Sequence, residues 1–176
     1  MSIVVFIVGA PGVGKTTLVR ELLEPNSALI ASPKWTVGPT VCAAGHYVGG
    51  KFDGADTVPY NGVQTALLFW EQRLASRSVT ILDGDRFSFS GAREFFAERG
   101  ARDTCIYLDT APETIQARRQ QRGTTQNATW VKGRVSKALN FATGFAEDRL
   151  LRLDAARPAK ELATEALAFF ARQMEA

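Results

Sequence analysis

The chain has 176 residues, 45% of them hydrophobic and 22% charged, and a formal net charge of +3. That balance excludes a disordered or fibrous chain and is enough for one globular domain, residues 1–176, with a full core. No apolar run approaches the ~20 residues that a membrane-spanning helix needs, so no membrane partner is expected. No obligate protein partner is evident. The first strand starts directly after Met1-Ser2, which leaves no room for a secretory leader and points to a cytoplasmic protein. Cys42 and Cys105 lie far apart and lack metal-ligand spacing, which reads as reduced thiols. Cys42 falls in a loop-like stretch and Cys105 in an apolar strand. His46 is the only histidine and cannot build a metal site alone.

Ile3–Val8 is a continuous apolar run, the pattern of a strand buried on both faces. Gly9-Ala10-Pro11-Gly12-Val13-Gly14-Lys15-Thr16 follows, a complete G-x-x-x-x-G-K-[ST] loop. Its glycines let the backbone curl so that successive N–H groups face one phosphate chain. Lys15 brings charge to the β- and γ-phosphates, and Thr16 offers a hydroxyl to Mg²⁺. Residues 9–16 together with Thr17 are therefore the expected nucleotide contacts, with ATP and Mg²⁺ as cofactors. A helix over Lys15–Leu23 is ended by Pro25.

A second strand is expected at Ala28–Ala31. Pro33–Asn61 reads as irregular, rich in Gly, Pro, Tyr and Asp. Its aromatics argue against disorder, and its place after a strand puts it near the carboxyl edge of a sheet, where ligands bind. It carries Asp53 and Asp56. A helix is expected over Gly62–Arg77, then a strand at Val79–Leu82 that delivers Asp83 in the role of a Walker B carboxylate for Mg²⁺. Gly84 stands where many motor ATPases carry a second acid. Asp85-Arg86-Phe87 comes next. Asp85 is positioned to take a proton from an acceptor hydroxyl, with Asp53 as the second choice, and Arg86 to hold a phosphate.

Helices over Gly91–Arg99, Pro112–Arg122, Thr129–Phe145 and Ala159–Glu175 alternate with strands at Thr104–Leu108 and Leu150–Leu153. The alternation predicts an α/β fold: a three-layer P-loop NTPase with a mostly parallel central sheet and flanking helices. Arg118 and Arg122 share one face of the Pro112–Arg122 helix, the lid pattern of small P-loop kinases, with Arg119 beside them. The lid and the basic segment after it span about 112–140. Between Glu113 and Glu147 there is no acidic residue, while Arg118, Arg119, Arg122, Lys132, Arg134 and Lys137 are all positive. Such a surface meets polyanions. Trp130 in the same stretch is either a base-stacking surface or a buried helix residue.

The phosphate loop, Asp85-Arg86-Phe87, the arginine helix and the turn at Leu153–Leu162 together resemble the thymidylate kinase and deoxynucleoside kinase group. Two further stretches, Phe52-Asp53-Gly54-Ala55-Asp56-Thr57 and Gln126–Lys137, look like segments of the bacteriophage 5-hydroxymethyluracil DNA kinases. That resemblance implies transfer of the γ-phosphoryl group of ATP to the hydroxymethyl group of the base in phage DNA, a step in thymine hypermodification. It implies hydroxymethyluracil-containing DNA as partner and the host cytoplasm as location. It also implies that Asp53, Asp56, Arg119, Trp130, Lys132, Arg134 and Lys137 meet the acceptor. A C5 substituent of a pyrimidine lies in the major groove, within reach of a protein side chain. The alternative is a kinase for a free nucleoside or nucleoside monophosphate. A nucleotide-dependent switch or assembly ATPase is the second alternative, disfavoured by Gly84 and by lid arginines present in the same chain.

Overall fold

A computed structural model describes residues 2–49, 53–121, 123 and 127–176. Strand β1 (Ile3–Gly9) is buried along its whole length. Its even positions Val4, Phe6 and Val8 face one core, and its odd positions Ile3, Val5 and Ile7 face another. The uninterrupted apolar run is the consequence of filling both faces of one central strand.

The other strands are β2 (Ala28–Ala31), β3 (Lys34–Val37), β4 (Val41–Ala44), β5 (Val79–Asp83), β6 (Arg102–Asp109) and β7 (Leu150–Asp154). They form one sheet in the order β2-β3-β4-β5-β1-β6-β7. From β4 to β7 all neighbours run parallel, while β2, β3 and β4 are joined antiparallel. Helices α1 (Lys15–Leu22) and α6 (Ala159–Glu175) cover one face. Helices α2 (Val63–Arg73), α3 (Ser90–Ala97) and α5 (Ala128–Ala142) cover the other, and α4 (Pro112–Gln121) follows β6. The three-layer α/β expectation holds.

Four expectations are corrected. Pro33–Asn61 is not irregular throughout, because it contains β3 and β4. Both strands have only four residues, β4 is built of Val-Cys-Ala-Ala, and Gly38-Pro39-Thr40 between them reads as loop punctuation. What makes them strands is tertiary: β4 is fully buried between β3 and β5, and Gly38 N–H closes the hairpin onto Val41 O at 2.8 Å. Cys42 therefore sits in a strand, its sulfur 3.5 Å from the Thr80 hydroxyl, and that hydroxyl also accepts from Trp70 Nε1. The expected helix Gly62–Arg77 is shorter at both ends, and α5 stops at Ala142 rather than Phe145.

The strand order makes β1 the switch point, with β5 and β6 on its two sides. Ile7 lies opposite Asp83, and Gly9 opposite Leu108. The phosphate loop, the end of β5 and the end of β6 thus reach the same carboxyl edge, where α/β sheets bind ligands.

Candidate active site

Gly12 and Gly14 in the loop after β1 have φ of +86° and +116°, which L side chains rarely adopt. A Cβ on Gly12 would also come within 2.8 Å of Arg119 Cγ, so glycine there lets α4 pack against the loop. Gly14 is the N-cap of α1 and supplies no side-chain cap. The first amides of α1 consequently point to the cleft with the positive end of the helix dipole behind them. The Lys15 ammonium donates to Gly9 O and Ala10 O, each at 3.0 Å. Ala10 and Val13 are buried in the core beneath the loop, so only their backbone is placed to contact a nucleotide.

Thr16 Oγ1 donates to Asp83 Oδ2 at 3.0 Å, which joins the two residues expected to serve Mg²⁺. Burial pushes the Asp83 carboxyl up to about 6. Lys15 and the Thr16 hydroxyl oppose the rise, and the Asp56 and Asp53 charges add to it. A nearby cation would restore the ionised form.

Beyond β5, Asp85 is the meeting point of three side chains. Tyr60 OH donates to its Oδ2 at 3.3 Å, Arg134 pairs with the same oxygen, and Lys137 Nζ lies 3.7 Å away. Lys137 also donates to the Asp85 carbonyl at 3.2 Å. Arg86 lies over the Tyr60 ring, 4.2 Å from its centroid, with Asp56 at 3.5 Å. These parts border one cleft of about 1080 Å³ that runs from the phosphate loop to Trp130, Arg134 and Lys137 on α5.

Asp53 also borders the cleft, but its carboxylate is committed to the fold. It pairs with Arg20 and accepts Val48 N–H at 2.8 Å and Gly49 N–H at 3.2 Å. Burial pushes its carboxyl up, but the Arg20 guanidinium and the two amides outweigh it and hold it below the usual range. Of the two carboxylates considered as base, Asp85 faces the cleft beside Tyr60, Arg134 and Lys137, whereas Asp53 is tied to Arg20 and to the Val48 and Gly49 amides.

The arginines of α4 divide. Arg118 donates to Val13 O and Ala155 O, both at 2.9 Å, and so ties the phosphate loop to the turn after β7 instead of standing as a lid. Arg119 borders the cleft. Arg122 lies outside the described residues. The basic group on α5 divides too. Trp130, Arg134, Lys137 and Ala138 follow helical spacing and face the cleft, whereas Lys132 is exposed on another side of the helix. Trp130 is 38% exposed, not buried, with Arg134 5.1 Å from its ring centroid.

Two contributors were not singled out from sequence. Arg20 is one turn after Thr16 on α1, a spacing that signals a shared face. Tyr60 lies in the segment read as irregular, and no local signal marks it.

The description AAA domain matches residues 4–141. The chain belongs to this AAA domain family. No curated protein matches the sequence. Among solved structures, this AAA domain chain is similar to a gluconokinase from Sinorhizobium meliloti 1021, with a TM-score of 0.58 and 18% identity over 98% of this chain and 94% of that one. It is similar to a tunicamycin resistance protein from Deinococcus radiodurans, with a TM-score of 0.54 and 18% identity over 96% and 95%. A shikimate kinase from Aquifex aeolicus gives a TM-score of 0.51 and 13% identity over 94% of each chain. At these identities the likeness is one of fold alone.

Proposed function

We propose that the protein is an ATP- and Mg²⁺-dependent phosphotransferase whose acceptor is a hydroxyl of a free small molecule. The observation that carries this reading is the shared cleft: Lys15 and the Thr16–Asp83 pair border one end, and Asp85 with Tyr60 and α5 borders the other. Uncapped amides at the start of α1 fit a phosphate chain, and a hydroxyl beside a carboxylate fits a hard cation. ATP supplies the phosphoryl group and Mg²⁺ the counter-charge.

The chain's own residues then divide the work. Lys15 and the loop amides hold the transferring phosphates, and Thr16 and Asp83 hold the metal. Arg119 lies against the loop and balances charge spread over the equatorial oxygens. Asp85 orients the acceptor hydroxyl. The acceptor oxygen bonds to the γ-phosphorus, the bond to the bridging oxygen breaks with its electron pair leaving on ADP, and the hydroxyl proton passes to Asp85. Little covalent work is required of the protein in such a loose transition state, so positioning dominates.

A free acceptor is favoured because Arg134 and Lys137 point into the cleft rather than outward along a duplex-sized stripe. The similar structures named for gluconate and shikimate kinases support the same class. A free nucleoside or nucleoside monophosphate belongs to it. The second reading, hydroxymethyluracil in DNA, rests on Trp130, exposed at the rim of the cleft, and on exposed Lys132. Both suit base stacking and a backbone phosphate.

One assay tests both. γ-Labelled ATP is offered with a panel of free alcohols, with hydroxymethyluracil-containing DNA and with unmodified DNA. Label on a free alcohol supports the first reading, and label only on the modified DNA replaces it with the second. ATP hydrolysis that labels no acceptor would favour a nucleotide-dependent switch and overturn both.

A further inference from the structure

The acceptor end of the cleft carries a surplus of positive charge at one place. Arg134 and Lys137, one turn apart on α5, converge on the single carboxylate of Asp85. Arg86 stands nearby, and the carboxylate facing it, Asp56, has a side chain 71% exposed. The Arg134 side chain is 29% exposed, so water screens its charge incompletely.

The same pairing covers Asp85. Its Oδ2 takes Arg134, the Tyr60 hydroxyl and the nearby Lys137 at once. An acceptor hydroxyl has to compete with those donors. A neutral alcohol brings nothing that can replace Asp85 as partner for two cations, so opening the contact leaves charge uncompensated in the cleft. A phosphate or carboxylate accepts a guanidinium in bidentate fashion and an ammonium beside it, and so offers that replacement.

We infer that the acceptor alcohol carries an anionic group, a phosphate or a carboxylate, and that this group draws Arg134 and Lys137 off Asp85, uncovering Oδ2 for the acceptor hydroxyl. The inference rests on the reading of this cleft as a phosphotransferase site with a free acceptor. Arg134 is then a charge-reading residue that both binds the acceptor and releases Asp85. A wrong acceptor leaves the contact closed.

Trp130 reports the exchange. Trp35 and Trp70, the other two tryptophans, are 0% and 1% exposed, whereas Trp130 lies on the cleft with the Arg134 guanidinium against its ring. Movement of Arg134 changes Trp130 emission, and Trp130→Phe removes the signal.

The experiment uses matched pairs of alcohols that differ in the anionic group: thymidine 5′-monophosphate and thymidine, ribose 5-phosphate and ribose, gluconate and sorbitol. Each is titrated against the protein saturated with Mg²⁺ and a non-hydrolysable ATP analogue, with Trp130 emission as readout, and then assayed for transfer with ATP. In at least one pair the anionic member is expected to bind about tenfold or more tightly, with a matching preference in kcat/KM, the scale of one charge-assisted contact. Phosphate and carboxylate arms tell the two anion sources apart. Arg134→Gln should collapse the preference mainly through KM, and Arg134→Lys, which keeps the charge, should restore part of it. Thermal melting of both variants checks that they fold.

Equal response to neutral and anionic members, or a preference that survives Arg134→Gln, overturns the inference and leaves the phosphotransferase reading standing. Arg134-dependent binding of the anionic members without transfer to any of them supports the anion site and overturns the free-acceptor reading. Emission that responds to no member of any pair overturns the inference.

Discussion

Thr16 and Asp83 are 67 residues apart in sequence, yet the Thr16 hydroxyl donates to Asp83 Oδ2 at 3.0 Å. The contact follows from the sheet. β1 and β5 are parallel neighbours with Ile7 opposite Asp83, so the loop after one strand and the last carboxylate of the other reach the same edge. Burial pushes the Asp83 carboxyl up to about 6 even with Lys15 and the Thr16 hydroxyl opposing the rise, and a bound cation would favour its ionised form.

Lys15→Ala should reduce phosphoryl transfer by at least about a hundredfold, since it removes the charge on the β- and γ-phosphates from a preorganised site. Steady-state kinetics on a variant with unchanged circular dichroism provide the check. A folded variant with near wild-type turnover would sink the assignment of the loop.

Asp53→Asn should act on stability first. The Asp53 carboxyl is held below its ordinary value of 3.8 by Arg20 and the Val48 and Gly49 amides. A lowered value means that its stabilisation is present above 3.8 and is lost as pH falls through the lower, folded-state value. The variant is expected to be less stable at neutral pH by about 1–3 kcal/mol, and the difference from wild type should shrink in strong acid. If Asp53 were instead the base, the melting temperature would hold while kcat collapsed.

The legible part of this protein lay where chemistry demands a local sequence. Gly9–Thr16 needs its glycines for positive φ, and β1 needs apolar residues on both faces, so each announces itself within ten residues. Asp83 and Asp85 were placed by following an apolar strand to its end. What could not be read were the consequences of tertiary pairing. β4 is Val-Cys-Ala-Ala, a strand because it is sandwiched between β3 and β5, not because of its own preference. Arg118 looked like a lid residue because its helix is basic, but only the fold brings Val13 and Ala155 carbonyls to its guanidinium. Asp53 stood second to Asp85 as a base in the sequence, and only the fold brings Arg20 to its carboxylate. The run of Lys132, Arg134 and Lys137 read as one surface in sequence, and helical spacing splits it between two faces.

Asp85→Asn and Tyr60→Phe should separate two contributions to the same carboxylate. Asp85→Asn keeps the shape but cannot take the acceptor proton, and kcat is expected to fall about a hundredfold or more. Tyr60→Phe removes a hydroxyl 3.3 Å from Oδ2 and keeps the ring under Arg86. A loss of about tenfold is expected, the lower end of the scale for a hydrogen bond to a charged group. Pre-steady-state transfer measured on both variants tests this, and an undiminished rate in Asp85→Asn would leave catalysis to positioning alone.

Lys132 separates the two acceptor readings. It is exposed on α5 away from the cleft, whereas Arg134 and Lys137 face Asp85. With a free acceptor, Lys132→Ala should leave kcat and KM within about twofold of wild type, because an exposed charge outside the cleft is screened and distant from the reacting atoms. With DNA as acceptor, Lys132 is the one of the three without a competing contact to Asp85, so it is the first to meet a backbone phosphate. Its loss should lower the slope of log K against log salt by about one, and loss of all three by about two to three. A salt-titrated DNA-binding measurement on wild type, Lys132→Ala and the triple variant gives both numbers. A slope near zero in wild type excludes the duplex as acceptor. A steep slope that drops by about one in Lys132→Ala, together with labelled hydroxymethyluracil DNA, would reverse the preference for a free acceptor and turn this face of α5 into the nucleic-acid contact.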